Sequence, residues 1–166
     1  MKKVLIAEDH QGIAESYKLI LESENYEVIL TENGEDCIRT FDKELLQRNL
    51  ENYGQPKIGA FSGNGPFDLV VLDYHMPPKD GIDVARHILS EAPYQRILIA
   101  SSYPRDVISK SAQNLGGCVE LLLKPFDLLE FADVIEKRSA LHIIGVPQKQ
   151  YTKESQSAIL KTQIQG

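Results

Sequence analysis

Leu69-Val70-Val71-Leu72-Asp73-Tyr74-His75-Met76-Pro77 is the stretch that decides the reading of this chain. Four apolar residues in a row, without alternation, describe a strand covered on both faces. The carboxylate that follows at once is held at the rim of the sheet. The same grammar recurs. Val4-Leu5-Ile6-Ala7 leads into Glu8-Asp9, Ile97 to Ala100 leads into Ser101-Ser102, and Val119 to Leu123 leads into Lys124-Pro125. Acid, acid, hydroxyl and ammonium all fall at the carboxyl ends of strands. In an open parallel sheet that edge is where ligands bind.

Between the strands the apolar period changes to that of helices. Ile13, Tyr17, Ile20 and Leu21 share one face, as do Ile38, Phe41 and Leu45. Val84, Ala85 and Ile88 continue the pattern, followed by Ile108, Ala112 and Leu115, then Leu128, Phe131, Ala132 and Ile135. A weaker strand, Tyr26 to Leu30, comes second. Five strands, each followed by a helix, predict an α/β fold with a parallel sheet and helices on both faces. Periodicity alone leaves the strand order open.

Composition narrows the class. At 166 residues, with 42% hydrophobic and 25% charged residues, the chain is sized for one globular domain with short extensions. A net charge of -6 argues against a broadly basic nucleic-acid surface. Cys37 and Cys118 lack metal-ligand spacing and read as buried free thiols. No apolar run approaches the ~20 residues of a membrane span, and no signal-peptide core precedes the first strand. A cytoplasmic location is expected. Two segments break the regular pattern. A Gly/Pro-rich loop from about 52 to 66 is longer than compact domains usually carry. The residues from 139 to 166 form a tail with an apolar patch at Ile143-Ile144, too short for an ordinary helix-turn-helix module.

Three carboxylates at one rim repel one another. Each pair costs about 4 kcal/mol at ~4 Å and an effective dielectric near 20. A hard divalent cation with oxygen ligands would offset this, and Mg²⁺ suits a site of few carboxylates with room for water. Lys124 can hold an anion beside it, and the Ser101 hydroxyl can donate to the same anion. This set suits phosphoryl transfer to Asp73, where catalysis is mostly positioning and charge neutralisation.

The residues Val4 to His10, Asp73 to Gly81, Ile99 to Ser102 and Leu123 to Phe126 resemble the receiver domain of two-component response regulators. The resemblance covers about 2–138 and implies a flavodoxin-like (βα)5 sheet in the order 2-1-3-4-5. It implies that Asp73 accepts a phosphoryl group from a histidine kinase or phosphotransfer protein. Glu8, Asp9 and Asp73 then hold Mg²⁺ with the backbone carbonyl of His75, Ser101 is the switch hydroxyl, and Lys124 binds the phosphoryl group. It further implies a cis Lys124-Pro125 bond. Such a module is a phosphoacceptor rather than an enzyme in the usual sense, and it signals to a downstream protein partner. With no output domain after 139, a stand-alone receiver is the expectation, its tail capping the domain or contributing to a homodimer.

One departure stands out. Many receivers carry Tyr or Phe three residues before the lysine, where this chain has Leu121. Tyr103, two residues past Ser101, is a candidate for part of that role. Other readings compete with the receiver. An aspartyl-phosphate phosphatase would use similar residues, but usually with a second acid two residues past the nucleophile, where His75 stands. A receiver-like module that binds partners without phosphorylation would not need the intact set. A DNA-binding tail using Lys149, Lys153 and Lys161 lacks a reading motif. His10 reads as a surface residue, His87 and His142 carry no signal, and Lys79-Asp80 read as a solvated turn before Gly81, a permissive backbone position.

Overall fold

The computed structural model describes residues 1–53, 65–115, 119–137 and 142–144. The elements follow in the order β1 (Lys2–Ala7), α1 (Gln11–Ser23), β2 (Tyr26–Thr31), α2 (Gly34–Glu51), β3 (Leu69–Asp73), α3 (Gly81–Glu91), β4 (Ile97–Ser101), α4 (Arg105–Ser111), β5 (Val119–Leu123), α5 (Leu128–Lys137) and β6 (His142–Ile144). The sheet runs β2-β1-β3-β4-β5-β6. Its first five strands are parallel, in the expected order. Most of the loop expected from 52 to 66, the Gly116-Gly117 turn, Cys118 and most of the tail lie outside the described residues.

The unbroken apolar runs are explained by the two faces of the sheet. Leu5, Val70, Leu72, Ile97, Ile99 and Leu121 pack with Phe41 of α2, Val84 and Ile88 of α3 and Ile108 of α4. Val4, Ile6, Val71, Leu98 and Leu122 point the other way, against Tyr17 and Leu21 of α1 and Phe131 and Ile135 of α5. Successive strand residues face opposite sides, so a strand buried on both must be apolar throughout. Cys37 is fully buried, and burial pushes its thiol up to about 12, which makes it an inert core residue.

The sequence pattern carried the fourth helix through Ala112 and Leu115, whereas α4 ends at Ser111. Ala112 caps it, and Asn114 takes a left-handed φ of 68° that no helix continues through. Leu115 is still buried, but from the turn. The tail also returns to the sheet. β6 lies antiparallel on β5, with Leu121 opposite His142 and Val119 opposite Ile144. It covers the lower part of an edge whose backbone groups would otherwise be open to pairing.

Arg96 ties this side of the molecule together. Its guanidinium donates to both carboxylate oxygens of Glu120 at 3.1 and 2.8 Å. It also donates to the carbonyls of Ile135 and Val134 in the last turns of α5, at 2.9 and 3.1 Å. Side chains 96 and 120 are 17% and 11% exposed. Removing one partner of such a pair strands the other charge. Arg96→Ala is therefore expected to lower unfolding stability by about 3 kcal/mol in urea titrations. A loss below about 1 kcal/mol would place the pair among solvated surface bridges.

Candidate functional site

The carboxyl ends of β1, β3, β4 and β5 bring the predicted residues to one rim. Asp73 is the last residue of β3, paired in register with Ala100 of β4. The next residue extends the ladder, since the Tyr74 N–H donates to the Ala100 carbonyl at 2.9 Å. Glu8 follows β1, and its N–H donates to the Thr31 carbonyl at 3.1 Å. Ser101 closes β4 opposite Leu123, and its carbonyl accepts the Lys124 N–H at 2.8 Å. Register thus sets all four positions.

Glu8, Asp9 and Asp73 each place a carboxylate oxygen within 4.8 Å of the others. Glu8 is 3% exposed, and Asp9 is exposed. The Lys124 ammonium sits between two of the three acids, 2.8 Å from Asp73 Oδ1 and 3.2 Å from Glu8 Oε2. The other Glu8 oxygen accepts the His10 N–H at 3.1 Å. Asp73 Oδ2 accepts no hydrogen bond among the described residues.

Charge and burial pull against each other here. Burial, with the nearby charge of Asp73, raises the pKa of Glu8, although Lys124 and the His10 N–H oppose this. For Lys124, burial lowers the pKa, but the hydrogen bond and charge of Asp73 and the charge of Glu8 prevail and raise it. The lysine is a fixed cation. It offsets part of the repulsion among the acids, as the further positive charge expected of it. Three carboxylates, two of them sunk in the rim, still form an oxygen donor set suited to a hard divalent cation.

The surrounding loops hold the acids in place. Lys124-Pro125 is cis, as expected, and so is Pro77-Pro78. Phe126 stacks with Tyr17 and Phe131, fixing the segment after Lys124 against α1 and α5. Gly81 matters by contact rather than by backbone freedom. A Cβ there would lie 2.5 Å from the Asp73 carbonyl oxygen. Asp80 caps α3, its Oδ1 accepting the Asp83 N–H at 2.8 Å. His10 caps α1 in the same way, through Nδ1 to the Ile13 N–H at 3.4 Å. The Asp-Gly pair before an apolar helix period was a readable capping signal. His87, which carried no signal, lies 2.9 Å from the Asp42 carboxylate across the α2–α3 interface, away from the rim.

Ser101 is 1% exposed and its Oγ accepts the Tyr103 N–H at 2.9 Å, while Ser102 faces solvent. That selects Ser101 as the rim hydroxyl. Tyr103 packs edge-on against Tyr74 with ring centroids 5.2 Å apart, and lies 6.4 Å from the His75 ring.

Known proteins resemble the chain in sequence and in fold. Over 130 residues the chain is 30% identical to the response regulator ArlR of Staphylococcus saprophyticus, a match covering 78% of this chain and 49% of that protein. It superposes on the response regulator TrrA of Thermotoga maritima, solved in complex with Mg²⁺ and BeF, with TM-score 0.60 and 28% identity over 82% of this chain and 98% of that one. The chain belongs to the response-regulator receiver domains. The chemotaxis protein CheY4 of Vibrio cholerae has the same fold, with TM-score 0.63 at 19% identity over 82% of this chain and 98% of that one. No family model matches the chain. The receiver spans about half the length of the curated relatives it matches. It takes its place in two-component signalling, and its acidic cluster resembles the phosphorylation site of the family. No helix among the described residues is long and apolar enough to cross a membrane.

Because Lys124 shares two carboxylates with any cation bound at this rim, Lys124→Met is expected to tighten Mg²⁺ binding at least about threefold. Calorimetric titration reads this directly. Weaker binding in the variant would mean that the lysine organises the acids instead of competing for them.

Proposed function

We propose that Asp73 is the phosphoacceptor of this receiver. The observation that carries the proposal is the Lys124 ammonium, 2.8 Å from Asp73 Oδ1 and 3.2 Å from Glu8 Oε2, within a three-carboxylate cluster at the carboxyl edge of the sheet. The donor is a phosphohistidine of a histidine kinase or phosphotransfer protein, met in the cytoplasm. An oxygen of Asp73 attacks phosphorus, a P–O bond forms, the P–N bond breaks, and the released imidazole takes up a proton.

Glu8, Asp9, Asp73 and the His75 carbonyl would hold Mg²⁺. When bound, that ion neutralises charge on the transferring phosphoryl oxygens. Asp9, the exposed acid, is placed to bind directly, while Glu8 is occupied by Lys124 and His10. Lys124 then pairs with the phosphoryl group as the Asp73 carboxylate becomes an acyl phosphate, and the Ser101 hydroxyl turns to donate to it. The receiver thereby assists its own phosphorylation and dephosphorylation without acting on a separate substrate.

The phosphorylated form changes protein–protein contacts. The face made by α4, β5 and α5 suits a protein partner, with Val107, Leu123, Leu128 and Leu129 exposed along it. β6 starts the tail beside this face and leaves Leu122 and Leu123 beyond its pairing.

Intact-mass spectrometry after incubation with acetyl phosphate tests the assignment. Wild type is expected to gain one phosphoryl group with Mg²⁺ and none with chelator, and Asp73→Asn none in either. Equal labelling of the two proteins would overturn it. In Mg²⁺ titrations Asp9→Ala is expected to lose at least about tenfold in affinity, more than Glu8→Gln; unchanged affinity in Asp9→Ala would remove Asp9 from the ligand set.

A further inference from the structure

The route from the rim to α4 does not run through β5. Leu121 is 1% exposed and packed among Ile99 and Ile108, with no polar atom and no open side to swing toward. An aliphatic residue so placed cannot relay a change in hydrogen bonding.

Tyr74 has the connections that Leu121 lacks. Its backbone is pinned on both sides, donating to Ala100 and accepting the Gly81 N–H at 2.9 Å each. Its ring packs on the core and meets Tyr103 edge-on. Its hydroxyl lies 3.4 Å from Ser111 Oγ in the last turn of α4. Among the described residues this is the one side-chain hydrogen bond joining α4 to the chain outside it. At that length it is weak and easily exchanged.

α4 is also the element most readily shifted. Helices α1, α2 and α3 begin with side-chain caps from His10, Asn33 and Asp80, and Asp127 caps α5. α4 is the shortest described helix and begins at Pro104 with no side-chain cap. Short uncapped helices depend on tertiary contacts for their position. The loop leading into α4 carries Tyr103, whose N–H is held by Ser101 Oγ and whose ring is 44% exposed. If Ser101 turns toward Asp73, that N–H loses its acceptor or the loop follows. The Tyr103 ring must then slide on Tyr74.

We propose that Tyr74 is a positioning residue that transmits the state of Asp73 to α4, through its ring on Tyr103 and its hydroxyl on Ser111, in place of an aromatic residue on β5. The inference rests on the phosphoacceptor reading. It requires that the link and the loading of the site be separable.

The test is hydrogen exchange on the full chain with Mg²⁺ and beryllofluoride, beside a direct titration of beryllofluoride affinity. In wild type, loading changes exchange near Asp73 and across 105–111. In Tyr74→Leu, affinity is expected to stay within about threefold while the α4 response falls at least about fivefold. Tyr74→Phe, which keeps the ring and the packing, is expected to lose part of the response. Tyr74→Leu combined with Tyr103→Leu is expected to lose little more than either alone, because the two act in one chain of contacts. A full α4 response in Tyr74→Leu overturns the inference, as do additive losses in the double variant. Loss of beryllofluoride binding in Tyr74→Leu also overturns it, by placing Tyr74 in the binding site itself. Failure of wild type to bind beryllofluoride is a distinct result, which overturns the phosphoacceptor reading first.

Discussion

Everything at the rim depends on one lysine between two acids. Lys124 can reach Asp73 and Glu8 together only because β1, β3 and β5 end at matching heights. Carboxylates this close repel strongly in a partly dehydrated setting. The Lys124 ammonium and the His10 N–H make the cluster tolerable, and its three acids suit a divalent cation as well. The same tension makes the site useful. A cluster still short of positive charge is suited to a divalent cation.

The core supplies the rigidity this arrangement needs. Each central strand sends alternate residues into two separate helix layers, so a shift of one residue would move apolar side chains on both faces at once. The stack of Tyr17, Phe126 and Phe131 extends that rigidity past the strand end to the segment carrying Lys124. Gly81 does the same for Asp73 by letting α3 begin against its carbonyl. Rigidity falls off toward α4, which is short, uncapped and joined sideways by a long hydrogen bond.

The tail has a place in this architecture even though most of it lies outside the described residues. β6 closes part of the β5 edge with three residues. Arg96 holds the end of α5, from which the tail departs. Beyond α5 the sheet gains one further short strand, β6.

The parallel sheet, its five helices and the rim residues Glu8, Asp9, Asp73, Ser101 and Lys124 were legible in the chain, because each rests on local grammar. Unbroken apolar runs of four or five residues fit strands buried on both sides, and a polar residue directly after such a strand emerges at one edge. The contact role of Gly81, the bridge from Lys124 to both acids and the pairing of Arg96 with Glu120 were decided by the tertiary structure. Each depends on distances between residues remote in sequence. The fourth helix stopped early because a left-handed Asn114 overrode an apolar period that continued past it. Tyr74 shows the division most plainly. As a sequence element it is one residue beside the acceptor, and only the approach of α4 and the β4–α4 loop, set by packing across the sheet, gives its ring and hydroxyl partners.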